Sequence, residues 1–465
     1  QQMRRESGRG IACGSFGHGV SFGPWRTACQ CRDQLGRLVT SPAAMETVPM
    51  RLLYTALLYL ITPIVIGRLL WRSRSIRGYR QRIPERFGFV ANPPSGIAVW
   101  VHAVSVGEAL AALPMIRELI AEHGEQRVWV TSTTPTGSER VIAALGSQVM
   151  HSYAPYDLPG AVSRFLDRIR PERVVVIETE LWPNLFDALH KKQIPLLIAN
   201  ARLSPRSFRG YSRVGGFARS VLSNTSLVAA QSTADAERFS QLGAPRVVTT
   251  GNIKFDVEPP SEQIAAGTRL RENIGLQRPV WIAASTHEGE ESGALDAHAH
   301  VLNHFPDALL ILVPRHPQRF ESVAREVRDS GLRFSMRSNL PGSLDDIQVL
   351  LGDSLGEMWM YLQAGDVVFV GGSLVEVGGH NALEPAALSR AVIFGPHMHN
   401  FLPAKDLLLQ TQSALQVADA KGLSRVLIEL LSDPHRSQQM GQMACDAVLG
   451  NRGALAKLMI HIRSL

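Results

Sequence analysis

The sequence predicts an α/β protein of two doubly wound parallel-sheet domains behind a membrane-associated helix, on three observations. Short, continuously apolar, β-branched runs alternate with helical patterns from about residue 95 onward. That rhythm breaks once, at "KFDVEPPSEQ" from Lys254, and then restarts. Finally, 465 residues with 45% apolar and only 19% charged side chains suffice for two cores of about 150 to 200 residues each.

Residues 1–49 are rich in Gly, Ser and Arg and show no sustained period, so they are expected to be disordered or an upstream extension outside the fold, ending at a start-like Met50-Arg51 step. Cys13, Cys29 and Cys31 fall in this stretch and Cys445 stands alone near the end. No paired framework links the body of the protein, which fits a reducing compartment. Cys29-x-Cys31 has no His or Cys partners at finger-like spacing, and no metal is expected.

Residues 50–90 form the second segment. Leu52 to Gly67, "LLYTALLYLITPIVIG", is uncharged over 16 residues and contains Pro63; a full span needs about 20. No small-residue cleavage site follows, which excludes a removable signal peptide. Seven arginines come next, Arg68, Arg72, Arg74, Arg77, Arg80, Arg82 and Arg86, against the single acid Glu85. Near an anionic surface each is worth about 1 kcal/mol, and the positive-inside tendency assigns them to the cytoplasmic face. A core helix followed by a solvated basic face is the plainer alternative. The expectation is an anchor, interfacial or a short span, with Arg68, Arg72, Arg74, Arg77 and Arg80 meeting anionic membrane lipids. The net charge of +7 also suits anionic partners, although the basic excess lies beside an apolar anchor and not among exposed aromatics, which argues against nucleic acid.

The strands of the first domain, residues 91–256, are read at "IAVWVHAV" (97), "RVWVTST" (127), "RVVVIE" (173), "IPLLIAN" (194), "SLVAA" (226) and "RVVTT" (246). Those of the second, residues 257–465, are read at "PVWIAAST" (279), "ALLILVP" (308), "DVVFVGG" (366) and "AVIFGP" (391), with the last helix expected to return to the first domain. Continuous apolar runs mean parallel strands covered on both faces. Ligands then bind at the carboxyl ends of the strands, in a cleft between the domains.

The loops at those ends are dense in polar residues. Ser105-Val106-Gly107-Glu108 puts a carboxylate in a first helical turn, where the macrodipole favours its ionised form; a helix N-terminal acid is also a common structural feature. Glu178 and Glu180 close the next apolar run, and adjacent carboxylates at a strand end repel. "TSTTPTGSER" offers hydroxyls such as Thr134 to a sugar or phosphate, or simply caps a turn. Arg315 and His316 follow a strand in "VPRHPQRF", where a phosphate could be gripped bidentately. In "GGSLVEVGGHNALEP", Ser373, Gly378, Gly379, His380 and Asn381 read as an anion loop opening a helix, with Glu384 one turn on for ribose hydroxyls. "HEGEE" at 287 is not H-E-x-x-H, and "HMH" at 397 lacks a third metal ligand.

Together, "WVHAVSVGEALAALPMI", "VTSTTPTGSERV", "ETELWPNL", "NARLS", "GNIKFD", "ASTHEGEE", "LVPRHPQRF" and "GGSLVEVGGHNALEPAALSRAVIFGPHMHNF" closely resemble the 3-deoxy-D-manno-octulosonic acid (Kdo) transferases, from about Arg51 to the C-terminus and including "ERFG" at 85. The resemblance implies a GT-B fold of two facing Rossmann-like domains and an inverting, metal-independent, cofactor-free glycosyltransferase of lipopolysaccharide biosynthesis. It implies CMP-Kdo as donor, a lipid A precursor (lipid IVA) as acceptor, and the cytoplasmic face of the inner membrane as location. By the same resemblance Glu108 is the catalytic base and Glu180 the second essential acid, Arg315 and His316 meet the nucleotide, Glu384 holds its ribose, and Ser373, Gly379, His380 and Asn381 line the donor loops. Ser105, Thr134 and Lys254 are candidates for acceptor or phosphate contacts, Lys254 through a phosphate or the Kdo carboxylate. Two departures stand out: nothing in the family matches the residues before Met50, and Ala382 replaces the proline of N-P-L-E. The competing readings are an envelope GT-B enzyme using another nucleotide sugar, and a non-catalytic membrane-bound nucleotide-binding scaffold.

Overall fold

The computed structural model describes residues 42–74, 77–340 and 342–465. The expectations for residues 1–41, including those on Cys13, Cys29 and Cys31, lie outside the described residues. Two sheets of seven parallel strands organise the rest. The first runs in the order β3-β2-β1-β4-β5-β6-β7, from β1 (Val99–His102), β2 (Val128–Ser132), β3 (Met150–Tyr153), β4 (Arg173–Ile177), β5 (Leu196–Ala201), β6 (Leu227–Ala230) and β7 (Val247–Thr249). The second runs β10-β11-β9-β8-β12-β13-β14, from β8 (Val280–Thr286), β9 (Leu309–Pro314), β10 (Phe334–Met336), β11 (Val349–Leu351), β12 (Val367–Val370), β13 (Ala391–Phe394) and β14 (Ala414–Gln416). This is the predicted doubly wound α/β class, twice over.

Each sheet is buried on both faces, which is why its central strands read as unbroken apolar runs. Val99, Val101, Val175 and Leu197 point into one apolar cluster of the first sheet, and Trp100, Val174, Val176 and Ile198 into the other. The second sheet repeats the pattern, with Ile282 and Ile311 on one side and Trp281 and Leu310 on the other. Helices cover these faces by their 3.6-residue period. In α4 (Pro159–Ile169), which follows α1 (Pro42–Arg72), α2 (Val106–His123) and α3 (Pro135–Leu145), the buried stripe is Val162, Phe165, Leu166 and Ile169.

Four strands escaped the sequence reading: β3, β10, β11 and β14. Three of them are only three residues long, and β3, β10 and β14 are sheet edges. An edge strand buries too little surface to leave an apolar run.

The chain crosses between the two sheets twice. After the first crossing near residue 257, the last helix (Ala454–Arg463) returns and places Ala454, Leu458, Met459 and Ile462 in the first sheet's core. Its otherwise unpaired first-turn amides, those of Gly453 and Leu455, donate to the carboxylate of Asp256 in "GNIKFD".

The helix α1 departs from expectation in two ways. It begins upstream of Met50, inside the segment expected to lie outside the fold, and it continues through Pro49 and Pro63. From Pro49 to Arg72 it is long and apolar enough to cross a membrane by length and composition. Of the seven arginines that follow the apolar run, Arg68, Arg72, Arg74 and Arg80 are exposed, but Arg82 and Arg86 turn inward. Arg82 pairs with Glu85 at 2.8 Å and bonds Ser138 and the His151 carbonyl. Arg86 is buried, donates to the Thr133 carbonyl at 2.9 Å and stacks over Tyr153. These two arginines are structural and stand apart from Arg68, Arg72, Arg74, Arg77 and Arg80, the residues expected at the membrane.

Candidate active site

The acids of the first unit converge because β1 and β4 are adjacent and in parallel register, so their carboxyl ends open side by side. Ser105 ends the β1 loop and caps α2, its hydroxyl accepting from the Glu108 amide at 3.2 Å. Glu108 returns the bond one residue further back, accepting from the Val104 amide at 2.7 Å, a variant of the reciprocal capping box. Its side chain is thereby pinned in the first turn, with the residue only 8% exposed. Burial raises the Glu108 carboxyl above its ordinary value, and the charges of Glu178 and Glu180 raise it further against the two hydrogen bonds that lower it. Burial therefore works against the helix dipole at Glu108, making its carboxylate more basic than an exposed one.

Glu178 sits at the end of β4 with φ +60°, a conformation costly for a side chain with a Cβ. The Lys254 ammonium stands 2.7 Å from its carboxylate. Lys254 is thus tied to the strand-end acid of the first unit. Glu180 instead accepts from the Trp182 indole N–H at 3.0 Å. Behind Trp182, the edge of one ring meets the face of the other at His102, with centroids 4.8 Å apart. His102 is fully buried, bonds Thr131 at 2.8 Å, and is held down to about 4 by burial, hence neutral. Thr134 caps α3 by accepting from the Gly137 amide at 3.1 Å.

Cations and imidazoles occupy carboxyl strand ends of the second unit. Arg315 follows β9 and His316 follows it directly. Burial lowers Arg315, and Arg140 on α3 lowers it too, while Glu384 pulls the other way. Arg140 belongs to the first unit, so the β9 loop faces α3 across the space between the sheets. His287, after β8, lies 2.8 Å from His380 between Nε2 atoms, and its ring also meets His316 edge to face. Burial first, then Arg315 and the neighbouring imidazoles, hold His380 down to about 3. Asn381 donates to Glu384 at 3.1 Å. Burial pushes the Glu384 carboxyl up, opposed by Asn381 and Arg315.

The glycine loop does something other than its sequence suggested. Gly378 and Gly379 do not open a helix; the helix starts at Leu383 after the buried Ala382, and is five residues long. Both glycine amides donate to the Gly372 carbonyl, at 3.1 and 2.7 Å. These positions are glycine because φ is +108° and +75° and because a Cβ on Gly379 would sit 2.1 Å from the Met398 sulfur. Ser373 is fully buried, its hydroxyl donating to the Val370 carbonyl and accepting from the Gly395 amide. These bonds hold the loop in shape.

Three residues were missed. Glu290, buried in the first turn of the helix Glu290–Leu302, accepts the amides of His287, Gly372, Ser373 and Leu374 at 2.6 to 3.0 Å. It is an internal anion filling the nest that the sequence offered to a phosphate. Its only signal was an acid at a helix start. His287 was weighed only as a metal ligand. Asp157, buried and pushed up to about 7 by that burial, accepts the amides of Asn184 and Leu185. No local pattern around Asp157 marks it. Among the described residues no group of three His, Cys, Asp or Glu side chains is arranged for a metal ion.

The sequence profile of the 3-deoxy-D-manno-octulosonic-acid transferases (kdotransferases) matches residues 81–257. A 3-deoxy-D-manno-octulosonic acid transferase of Haemophilus influenzae is 41% identical over 88% of this chain and 97% of its own. One of Bordetella pertussis is 38% identical over 87% of this chain and 97% of its own. Among solved structures, the C-terminal CMP-Kdo binding domain of WaaA from Acinetobacter baumannii is 33% identical and covers 41% of this chain and 99% of that one, with a TM-score of 0.39. UDP-GlcNAc 2-epimerase of Neisseria meningitidis, bound to UDP-GlcNAc, is 14% identical over 79% of this chain and 99% of its own, with a TM-score of 0.51, and shares the two-sheet GT-B-like architecture.

Proposed function

This chain belongs to the Kdo transferase family and is a glycosyltransferase, and from that premise we propose that it moves Kdo from CMP-Kdo to the lipid A precursor (lipid IVA) on the cytoplasmic face of the inner membrane. In this reading residues 91–256 present the acceptor and residues 257–465 hold the donor. The observation that carries it is the buried Glu108 carboxylate, fixed at the start of α2 and raised in basicity first by burial and then by the charges of Glu178 and Glu180.

A hydroxyl attacking the anomeric carbon must shed its proton as the new bond forms. Glu108 takes that proton. The C–O bond to the CMP phosphate breaks on the opposite face, so configuration inverts. CMP departs as an anion, and its charge must be met where it develops. Because Glu290 already fills the backbone nest, that task falls to side chains: Arg315, with His316 beside it. Glu384 and Asn381, bonded to each other, are suited to ribose hydroxyls. Glu180, steadied by Trp182, lines the acceptor side and orients the incoming sugar.

The exposed Arg68, Arg72, Arg74 and Arg80 next to the apolar helix support anchoring at an anionic surface, which also concentrates a phosphorylated lipid acceptor. The test is incubation of the membrane-bound protein with CMP-Kdo generated in place and tetraacylated lipid A precursor, with products resolved by mass. Gain of one or more Kdo units is expected, with no product from UDP- or ADP-sugars. Transfer from either of those donors in place of CMP-Kdo contradicts the assignment.

A further inference from the structure

Most of α1 stands clear of the protein, but its early turns do not. Arg51 pairs with Asp187, the Tyr54 hydroxyl donates to Asp157 at 3.0 Å, and the Thr55 hydroxyl donates to the Asn184 side-chain Oδ1 at 3.1 Å. All three bonds end on one structure: α5 (Pro183–Lys191), or the carboxylate that caps it.

The start of α5 explains why. Pro183 has no N–H, and the N-cap residue, Trp182, offers no side-chain acceptor to the helix. The next two amides, of Asn184 and Leu185, would be unpaired. Asp157, arriving from the loop after β3, accepts both, at 3.0 and 2.7 Å. The Asn184 side chain returns a bond to the Asp157 carbonyl at 2.7 Å. Trp182, fixed by the helix it starts, holds Glu180 at 3.0 Å. A continuous set of bonds thus leads from α1, through Asp157 and Asn184, to the site acid.

The remainder of α1 fits a lipid surface. Leu57, Leu60, Ile61, Ile64 and Trp71 are exposed and are followed by the exposed Arg68 and Arg72, an apolar face edged with cations that matches anionic lipid.

We propose that Asp157 is a positioning residue for Glu180 and that α1, through Tyr54 and Thr55, completes that support, so that seating the helix in an anionic lipid surface aligns the acid loop as well as localising the enzyme. The inference rests on the reading of Glu180 as a site acid. Coupling of this kind needs a measured energy and not contiguity alone. Asp157 keeps its two amide bonds without Tyr54, so removing the hydroxyls leaves α5 capped but loosely tied to the anchor.

The full chain is reconstituted in vesicles of phosphatidylethanolamine and phosphatidylglycerol, as wild type, Tyr54→Phe with Thr55→Val, Glu180→Gln, and the three substitutions together. The Tyr54→Phe, Thr55→Val protein is expected to sediment with vesicles and bind CMP as wild type does, while kcat falls roughly 3- to 30-fold with acceptor KM unchanged. Added to Glu180→Gln, the same pair is expected to cost little more. Unchanged kcat, or an equal further loss on the Glu180→Gln background, overturns the coupling. Full activity of Glu180→Gln alone instead refutes the underlying reading of Glu180. Loss of vesicle or CMP binding in step with kcat reduces Tyr54 and Thr55 to a structural role and also overturns the proposal.

Discussion

Both sheets are seven parallel strands, in different orders, and both gather polar side chains at their carboxyl ends, yet one cluster is acidic and the other basic. Glu108, Glu178 and Glu180 gather where β1 and β4 end; Arg315, His287, His316 and His380 gather where β8 and β9 end. Burial first, then the charges of Glu178 and Glu180, raise the proton affinity of Glu108, which suits a base. Burial first, then neighbouring cations and imidazoles, lower His287, His316 and His380, which leaves Arg315 as the charge to meet an incoming anion. In the proposed reading, the division of labour between removing a proton and receiving a phosphate follows from which side chains stand at the carboxyl ends of each sheet. The second unit also spends its backbone nest on Glu290, where the first uses a backbone amide to hold its base.

The comparison breaks most visibly at Glu108. Glu108→Gln keeps the cap geometry and removes the base, so transfer should fall by about 10²- to 10⁴-fold, read as Kdo-lipid product by mass. Next in size is Arg315. Arg315→Ala should weaken CMP binding by roughly 10- to 100-fold, the range of a charge-assisted hydrogen bond, measured by calorimetry, with the pH dependence of any residual transfer unchanged. Glu290→Gln puts an amide NH₂ against backbone donors. It should raise the KM for CMP-Kdo about tenfold and lower the thermal midpoint, an effect of about 1 to 3 kcal/mol, while Glu108 chemistry persists.

The smallest difference between the halves is expected in their response to acid. His102 and His151 in the first unit are held down to about 4 and about 3, and His298 and His380 in the second to about 4 and about 3, each by burial first. Their folded values lie below the unfolded value near 6.5. The stabilisation is therefore full above pH 6.5 and is lost as pH falls toward 4, at up to about 1.4 kcal/mol per unit for each group. Asp157, raised to about 7, acts in the opposite sense, favouring the folded state as pH falls below 7. Glu108, Glu291 and Glu384, also raised by burial, act with Asp157, and His287 and His316, also lowered by burial, act with the other imidazoles; the imidazoles are the larger set, so urea midpoints should drop on acidification from pH 6.5. A midpoint that rises between pH 6.5 and 4 contradicts this balance.

Legibility in the sequence followed the range of the interaction. Central strands were readable because burial on both faces leaves unbroken apolar runs, and Glu108 and Arg315 were readable because they occupy loops at the ends of such runs. Short edges such as β10 and β14 left no such trace. Nor did partnerships across long separations: Lys254 with Glu178, Glu290 with the loop after β12, and Asp157 with α5 join residues 28 to 84 positions apart. The arginine run shows the same limit. Its members look alike in sequence, and only the packing of Arg86 against Tyr153 and Thr133 separates the structural residues from the exposed ones. The glycines of "GGSLVEVGGHN" marked a tight loop correctly, but not that a carboxylate from elsewhere fills it.

In the proposed mechanism base and phosphate grip are separate parts on separate sheets, and titrating CMP into Glu108→Gln and Arg315→Ala beside the transfer assay tests that separation. Glu108→Gln should bind CMP within about twofold of wild type while transfer is lost, and Arg315→Ala should lose binding. Equal loss of CMP affinity and transfer in Glu108→Gln would place Glu108 in donor binding and contradict its role as the base.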